Sequence, residues 1–190
     1  PRMYMEGPWG EGHQEWFRFK VSILVGGGIG VTPFSSILKD IVHRTKSGQS
    51  IACEKVIFIW ITRTQKQWEW FIDIIKQAEE ADEKGILENH IYITAFFDKF
   101  DLRTTMLYVV ERDFQRLAGQ SLFTGLRAVT HFGRPKMIEF FDAIANDYLD
   151  TPEIAVFSCG PPGMTKSVEQ ACSITNRFEG PAFLHHYENF

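Results

Sequence analysis

The chain has 190 residues, 20 Lys+Arg against 24 Asp+Glu for a formal charge of −4, 44% apolar residues and 14% aromatics. That length suits one domain able to bury about 70% of the surface its unfolded chain exposes, and the composition is too apolar for disorder. No stretch approaches the roughly 18 uninterrupted apolar residues of a membrane span, the opening PRMYMEGPWGEGHQEW lacks a signal peptide's apolar core, and the absence of a Lys/Arg run argues against nucleic acid as a partner.

Taken by itself, then, the chain reads as soluble and unsecreted. The three cysteines, Cys53, Cys159 and Cys172, are odd in number and fit no zinc spacing, so neither a disulfide framework nor a structural metal is expected. A reducing compartment suits them best.

Along the chain, short β-branched runs alternate with long amphipathic stretches, the pattern of βαβ units. Met3 to Met5 reads as the end of a strand and GPWGEG as a turn, so residues 1–19 are expected to be the tail of a preceding domain and its linker, with residues 20–190 the domain proper. VSILV (Val21 to Val25), stopped by three glycines, suits a buried parallel strand. A helix should follow, with Thr32 as N-cap, Pro33 at the first helical position, and Phe34, Ile37, Leu38 and Ile41 on one face. KVIFIWI (Lys55 to Ile61) is the second strand. Trp68, Phe71, Ile72 and Ile75 mark a second helix that runs into EEADEKG, where Gly85 is a plausible stop.

The third strand is expected over His90 to Phe97. After it the rhythm breaks: Asp98 to Leu122 is long, charged and partly helical in pattern, which marks an insertion over about 98–124. HFGRP (His131 to Pro135) reads as a turn, followed by a helix from Lys136 to Ala145, a fourth strand IAVF (Ile154 to Phe157), a helix from Met164 to Thr175 and a closing strand from Ala182 to Tyr187. Five strands with helical crossovers predict an α/β fold, a doubly wound parallel sheet with right-handed connections. The charged stretches EEADEK and Glu111 to Arg116 read as solvated faces or as contact surfaces for regulatory domains.

Three features carry chemistry. The loop GGGIGVTP (Gly26 to Pro33) lies between a strand and a helix start, where glycines let backbone N–H groups approach a pyrophosphate and the helix N-terminus adds partial positive charge. It is not the Rossmann fingerprint, because Val31 stands where the third glycine belongs and no acidic residue follows the second strand. The alternative is a tight turn without a ligand. Arg63, just past the second strand, favours a ribose 2′-phosphate and hence NADPH over NADH, or else is an exposed helix-start arginine paired with Glu69 or solvent. Cys159, in SCGPPG, sits at the carboxyl edge of the sheet, either beside a nicotinamide or as an ordinary buried cysteine.

Cys53, Cys172, His43 and His90 read as packing or surface residues. His185 and His186 suggest a metal pair, but strand neighbours point to opposite faces and no third ligand is near. The terminal HYENF, ending in Phe190, is either a disordered end or an aromatic that caps a planar ring, and physics alone favours the first.

In order, GGGIGVTP, a strand ending in ITR, SCGPPGM and a terminal ENF make the chain resemble the NADPH-binding half of the ferredoxin reductase-like flavoenzymes, and in particular the NADPH oxidases. LVGGGIGVTPFSSILKD, TRTQKQWEWF, FDLRTTMLYVVERDFQ, SLFTGLRAVTHFGRP, FSCGPPGMTKSVEQAC and HHYENF are similar to the dual oxidase branch of that family. The resemblance implies a ferredoxin reductase-like NADP-binding fold on the cytosolic face of a membrane protein. There NADPH reduces FAD in a neighbouring domain, and electrons pass to haems in a membrane domain and on to oxygen, giving hydrogen peroxide. The FAD-binding and haem domains would be partners within one polypeptide, and the flavin barrel, haem ligands and calcium-binding EF-hands would lie outside this sequence.

By the same resemblance, Gly26, Gly27, Gly28, Gly30, Thr32 and Pro33 would hold the pyrophosphate. Arg63 and Arg134 would hold the 2′-phosphate, and Cys159, Gly160 and Pro161 would lie at the nicotinamide. Phe190 would be the terminal aromatic that stacks on the flavin, and Glu188 would contact the nicotinamide ribose or carboxamide. A ferric or flavodoxin reductase shares the glycine loop and CGP turn, and a regulatory module with a vestigial nucleotide site would share the fold.

Overall fold

The computed structural model describes residues 11–49, 52–63, 69–95 and 102–189. The chain alternates strand and helix throughout: β1 (Val21–Gly27), α1 (Thr32–Lys46), β2 (Lys55–Thr62), α2 (Glu69–Ala81), β3 (Leu87–Ile93), α3 (Leu102–Ala118), β4 (Val129–Phe132), α4 (Met137–Asp147), β5 (Glu153–Gly160), α5 (Pro162–Thr175) and β6 (Ala182–Asn189). All strand pairs are parallel, in the order β4-β3-β2-β1-β5-β6.

Among the described residues the sheet therefore has six strands, not the five the sequence predicts. The extra one is β4, whose His131 and Phe132 fall in what reads as a turn. It is a four-residue edge strand with only Thr130 fully inward, so it lacks the apolar alternation that announces a strand. Cross-strand side chains hold it instead: His131 stacks on Tyr92, its register partner, with ring centroids 4.3 Å apart.

β3 starts three residues before its predicted position. The Asp82 carboxylate accepts the Ile86 and Leu87 amides at 2.9 and 2.7 Å, which turns the chain into the sheet directly after α2. The polar Glu88 and Asn89 then lie within the strand because Lys55 and Glu79 satisfy them. The predicted end of this strand at Phe97 lies outside the described residues.

Two apolar layers flank the sheet. On one face Phe34, Ile37, Leu38 and Ile41 of α1 and Phe71 and Ile75 of α2 pack over Leu24, Phe58, Trp60 and Phe157. On the other, Phe141 and Ile144 of α4 and Val168 and Ala171 of α5 cover Ile23, Val25, Ile57 and Val156. β1, buried along its whole length, is the centre of both. At roughly 2 kcal/mol per fully buried large side chain, these layers supply most of the drive to fold. Residues 11–18 form a 3-10 helix packed against the first layer; Trp16 is buried there and its carbonyl accepts from Ser22 at 2.7 Å.

Two charged stretches that read as solvated faces are partly turned inward. Glu79 is buried and its carboxylate accepts the Arg127 amide and the Asn89 side-chain amide, both at 2.8 Å. Glu111 of α3 is buried as well and accepts the Leu122 amide at 2.9 Å. Both carboxylates satisfy backbone or amide donors in the insertion and its neighbours, which is why they leave the surface.

Candidate functional site

The strand order reverses at β1: the chain proceeds outward from β1 through β2 and β3, then returns to place β5 on β1's other side. The carboxyl ends of β1 and β5 thus diverge at a topological switch point, where open α/β sheets leave a crevice. A cavity of about 500 Å³ lies along this edge, within the range of small-ligand sites. Its walls come from the ends of consecutive strands: Gly27 and Gly28 after β1, Thr62 and Arg63 after β2, Thr94 after β3, Arg134 and Pro135 after β4, and Pro161 with Met164 and Ser167 of α5.

The glycines do different things. Gly26 pairs in register with Trp60 on one side and Cys159 on the other, and a Cβ there would lie 3.1 Å from Val31 Cα, so the loop folds back on its own strand. At Gly27 an added Cβ would sit 2.7 Å from Met164 Sδ, and at Gly160 it would sit 3.1 Å from Gly27 Cα, so the two strand ends pack backbone to backbone. Of the glycines lining the cavity, Gly28 is the one that combines a positive φ, 57°, with open space beside it. With no side chain there, the backbone is open to the cavity.

Gly30 is buried in a 3-10 turn over Gly28–Val31 that feeds straight into α1. That turn overturns the expected cap. Thr32 is already helical, and its hydroxyl donates back to the Ile29 carbonyl at 2.6 Å instead of closing the helix start. Pro33 does occupy the first helical turn. Neither side chain reaches the cavity wall.

Arg63 and Arg134 both reach it, and β3 positions each. The Ala95 amide donates to the Arg63 carbonyl at 3.0 Å, and the Gly133 amide donates to the Ile93 carbonyl at 2.9 Å. Gly133 takes a φ of 101°, which swings Arg134 from the β4 edge toward Arg63 along the same wall. Arg63 and Arg134 thus line the same crevice, and guanidinium groups are the side chains best suited to hydrogen-bond a phosphate.

Cys159 is not where the sequence places it. β5 continues to Gly160, so Cys159 is a strand residue, 7% exposed, and it joins the core layer under α1 and not the cavity wall. Burial, and then the Glu188 carboxylate, push its thiol above the ordinary range, so it stays protonated at neutral pH. Glu188 is its register partner on β6 and is exposed. Pro161 lines the cavity; Phe190 lies outside the described residues. His185 and His186 do diverge: His185 Nε2 meets Ser158 Oγ at 2.7 Å, while His186 stacks on Phe157.

Comparison with known proteins decides the family. Residues 19–173 match the ferric reductase NAD binding domain. The chain belongs to that family. It is 57% identical over its whole length to Dual oxidase 2 and to Dual oxidase 1 of Homo sapiens, covering 12% of each, and 51% identical to Dual oxidase of Drosophila melanogaster, covering 13%. The chain thus spans about an eighth of the length of these curated relatives. Among solved structures, ferredoxin-NADP+ reductase from Plasmodium falciparum aligns over all of this chain and 59% of its own at a TM-score of 0.50 and 11% identity, which shows the shared fold. As an NAD(P)-binding domain of the ferric reductase type, the chain has its crevice at the sheet edge where this fold binds dinucleotides. No helix among the described residues is long and apolar enough to cross a membrane.

Proposed function

We propose that this chain is the NADPH-binding part of a dual oxidase-like flavoenzyme. What carries the reading is the order of groups along the crevice. From β4 to β5 the wall runs arginines, glycine loop, proline turn. Four interstrand spacings cover roughly 19 Å, which an extended dinucleotide spans and a single nucleotide does not. Arg63 and Arg134 would take the 2′-phosphate, the open face at Gly28 the pyrophosphate, and the Pro161 turn the nicotinamide. Pro33 would contribute by starting α1, whose N-terminus lends partial positive charge.

When bound, NADPH supplies a hydride from nicotinamide C4 to the N5 of FAD held by a neighbouring domain. In the whole protein, electrons would pass on through haem in a membrane domain to oxygen, with hydrogen peroxide as product. The contribution of this chain is proximity and orientation. No side chain of the crevice need act as acid or base. Cys159, a neutral thiol packed in the core layer under α1, would act only by filling space behind the nicotinamide end of the crevice. Glu188 next to it would hold the ribose, and Phe190 would cover the flavin. Residues 1–19 would lead in from the flavin domain.

Titration of the chain with NADPH and NADH tests this reading. NADPH should bind more tightly, and Arg63→Ala should weaken NADPH by about tenfold to a hundredfold, the worth of a charged hydrogen-bonded contact, while leaving NADH unchanged. Equal binding of both nucleotides, with Arg63→Ala altering neither, would defeat it.

A further inference from the structure

Trp60 sits near the end of β2 with its side chain fully buried, T-shaped against Phe71 at 5.3 Å. By sequence it is one more core aromatic in KVIFIWI. Its indole, however, reaches across the sheet: Nε1–H donates to the Gly28 carbonyl at 3.1 Å, a contact between residues 32 apart in sequence. A buried indole N–H needs a partner, and this one takes it from the loop that faces the crevice.

The consequence follows from peptide planarity. In a trans peptide the C=O and the following N–H point in opposite directions. Drawing the Gly28 carbonyl inward to the indole turns the Ile29 amide outward, away from the core and toward the open side of the loop. Gly28 takes a positive φ of 57°, and nothing lies within 4 Å of a Cβ built there. From this geometry we infer that Trp60 is a positioning residue for the glycine loop, setting the 28–29 peptide so that its N–H is presented to a phosphate oxygen. Gly26, in register with Trp60 on the adjacent strand, keeps the loop and the indole in fixed relation. The inference rests on the dinucleotide reading of the crevice and adds to it a part that does not touch the ligand.

Trp60→Phe removes the donor and keeps an aromatic ring against Phe71. Placing β-(3-benzothienyl)alanine at 60, which keeps the bicyclic shape and replaces N–H by sulfur, gives the same deletion where the phenylalanine variant folds poorly. Each should weaken NADP+ binding by about fivefold to tenfold, the worth of one hydrogen bond that orients a loop carbonyl. Adenosine 2′-monophosphate, which has no pyrophosphate, should bind each variant as it binds the parent. Unchanged NADP+ affinity in the benzothienyl variant would overturn the inference and leave the dinucleotide reading standing. Equal weakening of both ligands would overturn it too, because general loosening of the sheet edge would then be the cause. Failure of the parent chain to bind NADP+ would bring down the dinucleotide reading, and this inference with it.

Discussion

The Thr165 hydroxyl donates to Asn189 Oδ1 across 2.6 Å, tying the first turn of α5 to the end of β6. β6 is an edge strand, exposed over its last four described residues, and besides its pairing with β5 this bond ties its end to α5. Thr165 is buried and Asn189 is exposed. In Thr165→Val the shape of the buried side chain is kept and Asn189 regains water, so the loss should be near the net worth of one hydrogen bond, about 1 kcal/mol. Urea unfolding measures this directly. Hydrogen exchange should rise at the amides of Tyr187 to Asn189 and stay constant in β1; a uniform rise would mean that the bond stabilises the fold and not the strand end.

Gly27 and Gly28 are adjacent, yet alanine should fail at each for a different reason. Gly27 has an extended backbone, φ −106° and ψ 112°, that any residue adopts, so the cost of Gly27→Ala is steric: its Cβ meets Met164 Sδ at 2.7 Å and Pro161 Cδ at 2.9 Å. Overpacking of this kind costs about 1–3 kcal/mol. Met164→Ala should restore part of it, since the proline ring stays in place, with a coupling of about 1 kcal/mol in a double-mutant cycle. At Gly28 the cost is conformational, about 1 kcal/mol, and Met164→Ala should not relieve it. Additive effects at the Gly27 pair would mean that the two strand ends can move apart freely.

Much of this arrangement is legible in the residues themselves, and the parts that are not share a cause. VSILVGG and the 3.6-residue spacing of Phe34, Ile37, Leu38 and Ile41 announce β1 and α1 because apolar patterning is local. β4 and the start of β3 escape that reading because Thr130, His131, Glu88 and Asn89 are polar and are held by partners far along the chain. Glu79 and Glu111 look like surface charge for the same reason, their backbone partners lying 48 and 11 residues away. In the site, the glycine loop and Arg63 stand out by residue type next to a strand end, whereas Arg134, in what reads as a turn, is named only through the family resemblance. Trp60 does not, since nothing in KVIFIWI distinguishes a packed indole from one that also holds a loop carbonyl. Cys159 is placed on the right edge but on the wrong side of it, because the strand runs three residues further than its apolar core.

The polar chain beside β4 should make stability depend on pH. His90 Nδ1 lies 3.0 Å from His131 Nε2, and His90 Nε2 lies 3.0 Å from Glu88 Oε1, whose other oxygen meets Lys55 Nζ at 2.9 Å. Tyr92 stacks on His131 and Phe140 abuts His90, which closes the cluster from β3 and α4. Burial, and then the nearby His90, lower His131 from 6.5 to about 4, while the His90 hydrogen bond, with Lys55, lowers Glu88 from 4.5 to about 2. Both folded values lie below the unfolded ones, so the unfolded chain binds more protons and acid favours it. The His131 contribution is complete above pH 6.5 and is lost as pH falls toward about 4; the Glu88 contribution is complete above pH 4.5 and is lost toward about 2. His131→Phe keeps the ring stack on Tyr92 and cannot take up a proton. Its unfolding free energy should therefore fall less steeply than the parent's between about pH 7 and about pH 5, by up to about one proton of slope, the remaining fall coming from groups such as His185, which burial also lowers. Parallel pH profiles for parent and variant across that interval would show that His131 is free to protonate in the folded chain.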